Sequence, residues 1–233
     1  MKKFFVMAVM AVAALSANAQ YAPEKGDFST AIKFNPFHSS GKTFEAVDDY
    51  AIMGRYMITD NDGIRLTLGL GYTNDFDKVE KEFNNVKSEY ELNDSKTSFS
   101  IKAGYERHFS ANDRIDLYAG AQVGFATTST NKESVEAYTD KDFKQVPFVA
   151  YTKGGANTVS LGVFTGINFY VYKKLFVGAE LGFNYAHASN KDVEAYTVNK
   201  DGDGTEVKTT PNNATSTALG FKVEPQLTLG WTF

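Results

Sequence analysis

Apolar and polar residues alternate along eight stretches of this 233-residue chain. Successive side chains of a β-strand point to opposite faces, so a period of two residues predicts a strand with one apolar and one polar face. Most of the stretches contain about ten residues, the length that a tilted strand needs to cross a bilayer. The predicted strands cover residues 28–37, 50–59, 64–72, 97–109, 115–126, 158–171, 175–186 and 218–233.

The segments that connect these strands alternate in length. In an antiparallel meander, this alternation places all the long connectors at one rim and all the short turns at the other. Outer-membrane barrels have this asymmetry, with short periplasmic turns and long extracellular loops. The short connectors are 59–63, 110–114 and 172–174, which are rich in turn-forming residues, and the long polar ones are 38–49, 73–96, 127–157 and 187–217.

The apolar faces of the strands test this idea, because a barrel in lipid must point its apolar residues outward. On the third strand Leu66 and Leu68 alternate with Arg65 and Thr67, and the last strand ends on an alternation that includes Trp231. Aromatic residues cluster near the strand ends, as in the girdles at the two bilayer interfaces. We therefore predict an all-β fold, an eight-stranded antiparallel up-and-down transmembrane β-barrel with four long extracellular loops.

Charged residues occur on the inward faces of the predicted strands, and their signs nearly cancel. Eight strands enclose a lumen that side chains fill, and buried charges need partners. We expect a plug of ion pairs, with a path for protons or ions as the alternative. The predicted lumen charges are Lys33, Arg55, Arg65, Lys102 and Lys222 with Glu106, Asp116, Glu180 and Glu224.

The N-terminus has the layout of a secretory signal peptide, with two lysines, a short apolar run and small residues before Gln20. We expect residues 1–19 to be cleaved and residues 20–233 to form the barrel domain. Cysteine is absent, which excludes disulfides and thiolate chemistry. After cleavage 22 basic and 28 acidic side chains remain, a balance that argues against nucleic acid as a partner. We expect no cofactor.

The second long connector contains its own turn signal. The pair Asn84-Asn85 lies between apolar residues and favours a two-residue hairpin turn. Folding there pairs Glu82 with Lys87 and also pairs Leu70 with Phe99, two residues that the strand patterns place outward. We therefore expect strands three and four to project past the membrane as a ribbon. The alternative is a short amphipathic helix that uses Val79, Phe83, Val86 and Tyr90 at helical spacing.

Two segments of the long connectors, residues 131–139 and 190–197, are near copies of each other. Each follows a strand that ascends toward the long-loop rim, so both are expected at the same rim. Duplication of a hairpin explains the similarity. A repeated contact surface for an extracellular ligand is the alternative, because loops often carry binding functions.

Two candidate sites in the fourth long connector have partial motifs. Asn199, Asp201 and Asp203 have the spacing of half a calcium loop, but Asp-Gly is also a hairpin signal, and we expect no metal site. His187 and Ser189 are similar to the His-x-Ser element of outer-membrane lipid A deacylases, with Glu194 as the candidate to orient the histidine. A rim histidine near lipid headgroups is the alternative, and we expect the chain not to be an enzyme.

The leader, the eight strands, the loop asymmetry and the C-terminal alternation together resemble the small outer-membrane β-barrel superfamily, which includes the OmpA transmembrane domain, OmpX and Ail. The resemblance implies a porin-like barrel located in the cell outer membrane, in contact with lipid and lipopolysaccharide. It also implies a role in adhesion or envelope integrity. It also implies that the barrel assembly machinery is a folding partner. No peptidoglycan-binding domain is expected after Phe233. The residues that resemble the assembly signal are Leu227, Leu229, Trp231 and Phe233.

Overall fold

The computed structural model describes residues 23–34, 50–83, 86–112, 114–139, 145–198, 205–210, 215–220 and 226–233. Within these ranges no helix has the length and apolarity needed to span a membrane. The described residues form eleven β-strands. These are β1 (Phe28–Phe34), β2 (Tyr50–Met57), β3 (Asp62–Phe83), β4 (Val86–Asn112), β5 (Ile115–Thr139), β6 (Gln145–Tyr172), β7 (Leu175–Asn190), β8 (Val193–Val198), β9 (Thr205–Thr210), β10 (Thr215–Gly220) and β11 (Gln226–Thr232).

Eight of these strands close into an antiparallel ring. Strands β1 to β7 pair in chain order, β7 also pairs with β11, and β11 returns to β1. The ring closes by pairs such as Ile32 with Leu229 and Thr30 with Trp231. Because the ladder of these eight strands closes on itself, each of them has a hydrogen-bonded neighbour on both sides, as strands surrounded by hydrocarbon require.

The eighth position of the wall is occupied by two strands, β10 and β11, which both pair with β7. Gly220 pairs with Asn184, and Gln226 pairs with Glu180. Six residues separate Gly220 from Gln226, whereas four separate their partners on β7. The register of β11 against β7 is therefore shifted by two residues relative to that of β10. Pro225, where the missing backbone donor predicts a bulge or local weakness, lies outside the described residues.

Two strands are much longer than the sequence predicts. Strands β5 and β6 contain 25 and 28 residues, and they continue through most of the connector predicted as a loop at 127–157. The 22 and 27 residues of β3 and β4 agree with the hairpin ribbon predicted there. The predicted fourth loop likewise contains β8 and β9, which extend the sheet from the upper part of β6. The prediction of short strands is wrong because hydrophobic alternation ends where the wall leaves the bilayer, whereas the backbone pairing continues.

The hairpin between β3 and β4 has the predicted pairing. Glu82 pairs with Lys87, Phe83 pairs with Val86, and the ladder continues down to Leu70 opposite Phe99. The helical alternative for this segment is therefore wrong. The β3–β4 hairpin forms a ribbon that rises beyond the membrane-spanning part of the wall.

The two similar segments lie on either side of β6. The first copy pairs Tyr138 with Val146, and the second pairs Tyr196 with Tyr151. These partners are five residues apart on β6, an odd number. The backbones of the two copies therefore pair with β6 in registers that differ by an odd number of residues. The copies share a rim, as predicted.

Burial follows the alternation of the strands. Outward apolar side chains are exposed, with Ile52 at 62% and Leu70 at 69%, whereas inward residues such as Met53 and Met57 are buried. The strand β2, which has Gly54 on its outer face, thus points Met53, Arg55 and Met57 inward as predicted. A small apolar cluster lies inside the ring and consists of Ala31, Met53, Tyr170 and Phe176.

Candidate functional site: the charged lumen

The interior of the ring holds most of the charged residues that the sequence predicts there. Of the nine predicted lumen charges, Lys222 and Glu224 lie outside the described residues. Lys102 lines the lumen and is only partly buried. The remaining six are buried, and they are Lys33, Arg55, Arg65, Glu106, Asp116 and Glu180.

Glu180 on β7 is the centre of the upper part of this cluster. It accepts hydrogen bonds from Arg65 Nη1 at 2.7 Å and Nη2 at 3.2 Å, and from Lys33 Nζ at 2.7 Å. The hydroxyl of Tyr118 donates to it at 3.0 Å. Arg65 also donates to Gln122 Oε1 at 2.7 Å. One carboxylate therefore joins β1, β3, β5 and β7 across the lumen.

The lower part of the cluster is a chain of side chains that begins at Arg55. Arg55 Nε donates to Oε1 of Glu106, and His108 Nε2 lies 3.3 Å from the same oxygen. His108 Nδ1 lies 2.9 Å from both carboxylate oxygens of Asp116, which also accepts a hydrogen bond from Asn168 at 2.9 Å. The partners of Asp116 are thus a histidine and an amide, neither of which is among the predicted lumen charges.

Aromatic rings fill the space between the charges. The guanidinium carbon of Arg65 lies 3.3 Å from the centroid of Phe164, and that of Arg55 lies 5.1 Å from Tyr118. Such contacts stabilise a desolvated guanidinium through the ring quadrupole. These inward rings and His108 are not among the predicted lumen residues, although the two-residue period of each strand places them on the inner face. The buried aromatic side chains are Tyr118, Phe164, Tyr170 and Phe176.

Gly120 gives Phe164 its position against the wall. A Cβ at Gly120 would lie 2.4 Å from Cζ of Phe164 and 2.2 Å from the carbonyl oxygen of Tyr105. Neither distance is compatible with a side chain, so the residue must be glycine for the ring to lie here. By contrast, a Cβ at Gly182 would have its nearest neighbour at 3.7 Å.

A small cavity lies above the cluster, with a volume of about 20 Å³. This volume is sufficient for about one water molecule or one small ion. Polar and charged side chains form most of its lining, and the Thr67 hydroxyl in that lining is buried without a hydrogen-bond partner. The lining residues are Lys33, Ala51, Thr67, Lys102, Gln122, Glu180, Gly182, Asn184 and Gln226.

The short-turn rim is tied together by hydrogen bonds from residues 25–27. Gly26 N donates to the carbonyl oxygen of Met57 at 2.9 Å, and Lys25 N donates to Asp60 at 3.0 Å. Lys174 in the β6–β7 turn donates to Asp27 at 2.9 Å. The segment before β1 therefore connects two neighbouring periplasmic turns.

Asp62, the first residue of β3 at the short-turn rim, has an altered pKa. The hydroxyl of Tyr105 donates to its carboxylate, and Thr59 and Arg107 donate further hydrogen bonds. These bonds stabilise the charged form, Tyr105 most strongly, and lower the pKa of Asp62 to about 2.

The residues of the two partial motifs do not form a site in the described chain. His187 and Ser189 lie on the exposed face of β7, opposite Val159 and Asn157 of β6. Glu194 pairs with Lys153, which is six residues along β6 from Val159, or roughly 20 Å. Glu194 is therefore too far from His187 to orient it. Among the described residues no group of three or more His, Asp or Glu could hold a metal, and Asn199, Asp201 and Asp203 lie outside them.

The closed ring, the outward apolar wall and the buried charges define a transmembrane β-barrel of the outer-membrane type. Residues 39–200, more than half of the chain, match the model of the "Putative OmpA-OmpF-like porin family". The chain belongs to this family of outer-membrane barrels.

Two solved structures resemble the chain. The outer membrane protein OprG from Pseudomonas aeruginosa is 11% identical with a TM-score of 0.41, and the alignment covers 92% of this chain and 99% of OprG. Ail, the attachment invasion locus protein of Yersinia pestis, is 13% identical with a TM-score of 0.37 and coverages of 90% and 99%. No curated protein matches the chain.

Proposed function

We propose that this chain is a non-catalytic outer-membrane protein that presents its extracellular strands and loops to the outside and whose lumen is plugged by side chains. The observation that carries the proposal is the bridge between Arg65 and Glu180, two residues that are 4% and 5% exposed. This bridge crosses the lumen between β3 and β7, and the lumen of an eight-stranded barrel is narrow enough for side chains to fill, so the bridge favours a plug over an open aqueous path.

The outward face supports the anchoring role. Exposed apolar side chains cover the wall and include aromatic rings at both rims, Tyr56 and Phe109 at one and Tyr72 and Phe125 at the other. Such girdles lie at bilayer interfaces. The partners that we propose for this surface are phospholipid and lipopolysaccharide.

The barrel assembly machinery is a further partner that we propose, and the residues of the C-terminal strand support it. Leu227, Leu229, Trp231 and Phe233 are exposed on the outer face of β11. Phe233 N donates to the carbonyl oxygen of Phe28 at 2.7 Å, and the two rings are stacked with centroids 6.4 Å apart. The last residue therefore contributes to ring closure and also carries the proposed assembly signal.

The extracellular role that we propose is adhesion or maintenance of the envelope through an external ligand. The β3–β4 ribbon and the sheet formed by the upper parts of β5 and β6 with β8 and β9 extend beyond the membrane-spanning wall. These extensions offer polar surfaces that have no function in the bilayer.

A narrow porin for small solutes is the second candidate, and it is favoured by the porin family and by the cavity next to Lys33 and Lys102. Conductance in planar bilayers separates the two candidates. The purified, folded barrel is expected to be silent, and the matched variant Glu180→Ala is expected to conduct because it removes the acceptor that holds Arg65 and Lys33 across the lumen. Discrete conductance steps from the wild-type protein would favour the porin.

A further inference from the structure

The lysine that follows β7 crosses the wall near the long-loop rim. Lys191 N donates to the carbonyl oxygen of Gly155 at 2.9 Å, which attaches its backbone to β6. The ammonium group reaches one strand further, to β5, where Nζ donates to Thr127 Oγ1 at 2.9 Å and to the carbonyl oxygen of Thr128 at 3.2 Å. The side chain of Lys191 therefore lies across β6, and its charge is held against the barrel.

Gly155 leaves room for this crossing. Its φ is +155°, and a Cβ at this position would lie 2.1 Å from the carbonyl oxygen of Thr128. That oxygen is one of the two acceptors for the ammonium group of Lys191. Because any side chain at residue 155 would overlap this acceptor, the glycine and the backbone of β5 help to determine where the ammonium group lies.

Both oxygens that accept from Lys191 are neutral. Thr127 donates its own hydroxyl hydrogen to Asn157 Oδ1 at 2.9 Å, so the three side chains form an ordered chain of hydrogen bonds from β7 to β6. Asn157 is exposed, and its side chain also carries an NH₂ group, which is a donor. A positive charge that rests on neutral acceptors beside an amide donor is suited to an anion.

The residues just below this ammonium group belong to the apolar wall. Phe125 precedes Thr127 by two residues on β5, and Val159 follows Asn157 by two residues on β6, so each pair shares the outer face. Phe125 and Val159 are both exposed. The charge of Lys191 therefore lies at the first polar level above the wall, which is the level of the headgroups in a bilayer.

We propose that Lys191, together with the amide of Asn157, binds a phosphate group of lipid A, the phosphorylated glycolipid of the outer leaflet. The inference rests on the proposed function, because it requires lipid around the wall and the long-loop rim at the cell surface. The phosphates of lipid A are attached to the sugars that carry the acyl chains, so they lie at the border of the hydrocarbon. A lysine binds such a phosphate as a point charge.

Native mass spectrometry of the purified barrel in detergent micelles tests this site. The probes are bisphosphorylated lipid A and the same lipid A without its phosphates, which has identical acyl chains. The wild-type barrel is expected to retain the bisphosphorylated form preferentially. Lys191→Gln is expected to lower this preference by about tenfold, the loss that corresponds to one hydrogen bond to a charged group. Lys191→Arg, which keeps the charge, should restore the preference.

A second variant and a matched control separate this site from general surface charge. Thr127→Val removes an acceptor that positions the ammonium group but keeps the charge, so it is expected to lower the preference by a smaller factor. Lys87→Gln is the control, since Lys87 lies on the extracellular ribbon and pairs with Glu80 at 3.1 Å, and it should leave the preference unchanged. Heat-dependent migration on gels verifies that each variant is folded.

Three results would overturn the proposal. The first is equal retention of the two forms of lipid A by the wild-type barrel. The second is an equal loss of preference in Lys191→Gln and Lys87→Gln. The third is retention of phosphatidylglycerol as strong as that of bisphosphorylated lipid A, because the ligand would then be any lipid phosphate.

These results are independent of whether the barrel conducts. A silent wild-type barrel without preference for the bisphosphorylated form would contradict the lipid A site and leave the proposed plug intact. A conducting wild-type barrel that retains this preference, and loses it in Lys191→Gln, would do the reverse.

Discussion

Arg65 and Glu180 lie on opposite sides of the ring and are joined by a two-pronged salt bridge with N–O distances of 2.7 and 3.2 Å. Arg65 is on β3 and Glu180 is on β7, four strands apart in a ring of eight. Because the two strands do not pair with each other, this bridge connects distant parts of the wall through the lumen. Removal of one partner would leave the charge of the other buried in the lumen.

Glu180→Gln is expected to destabilise the barrel by about 3–5 kcal/mol, because it removes the carboxylate that pairs with buried Lys33 and leaves Arg65 with Glu106, 3.7 Å away, as its remaining partner. Urea-induced unfolding in lipid vesicles measures the change in the free energy of unfolding. Glu91→Gln is the matched control, since Glu91 forms an exposed pair with Lys78 at 2.9 Å on the extracellular ribbon. The control is expected to show no measurable change. Equal effects of the two substitutions would contradict the role of the lumen bridge.

Gly120→Ala is expected to destabilise the barrel by about 1–3 kcal/mol, because its methyl group overlaps the Phe164 ring and the backbone of β4. Gly182→Ala adds the same methyl group where there is space for it and should unfold at the wild-type urea concentration. Heat-dependent migration of the folded form on gels gives an independent readout. If both glycines tolerate alanine equally, Phe164 does not pack against β5 as described.

Tyr105→Phe is expected to raise the pKa of Asp62 from about 2 toward the ordinary value of about 3.9. A carboxyl group with a lowered native pKa contributes stability above its unfolded pKa, and this contribution is lost as the pH falls from about 4 to about 2. The variant should lose part of this acid-sensitive stability. Carbon-13 NMR titration of the Asp62 carboxyl in micelles measures the pKa directly, and an unchanged value would refute the hydrogen bond from Tyr105.

A short epitope inserted between Asn84 and Asn85 is expected to be accessible to antibody on intact cells, because the β3–β4 ribbon extends up to this turn. The same epitope inserted between Asp60 and Asn61, in a short turn at the opposite rim, is expected to become accessible only after the outer membrane is permeabilised. Labelling of both insertions on intact cells, or the reverse pattern, would contradict the orientation of the barrel.

Much of the wall could be predicted from the sequence because each residue of a strand faces either lipid or lumen. The alternation of Leu66 and Leu68 with Arg65 and Thr67 is enough to define both faces of β3. Asn84-Asn85 likewise defines the register of the β3–β4 hairpin, since a two-residue turn leaves one way to pair the strands. The two faces of a strand and the register of a hairpin both depend on residues that are close together in the sequence, so they can be predicted from the sequence alone.

The lumen contacts could not be predicted in the same way. Which carboxylate meets Arg65 depends on the diameter and stagger of the whole ring, and these are set jointly by all eight strands. The sequence therefore supplied the inward residues but not the pairing of Asp116 with His108. The lengths of β5 and β6 could not be predicted either, because the regular alternation of apolar and polar residues stops beyond residues 126 and 158 while the backbone pairing continues.

The central claim is that lipid surrounds the apolar face of a closed ring, and Trp231 provides a direct test because it is the one tryptophan in the chain. Its side chain is 39% exposed on the outer face of β11, near the short-turn rim. In vesicles, lipids brominated along their acyl chains are expected to quench its fluorescence strongly, with the greatest effect when the bromine atoms lie close to the headgroups. Efficient quenching by aqueous iodide without quenching by brominated lipid would contradict the claim.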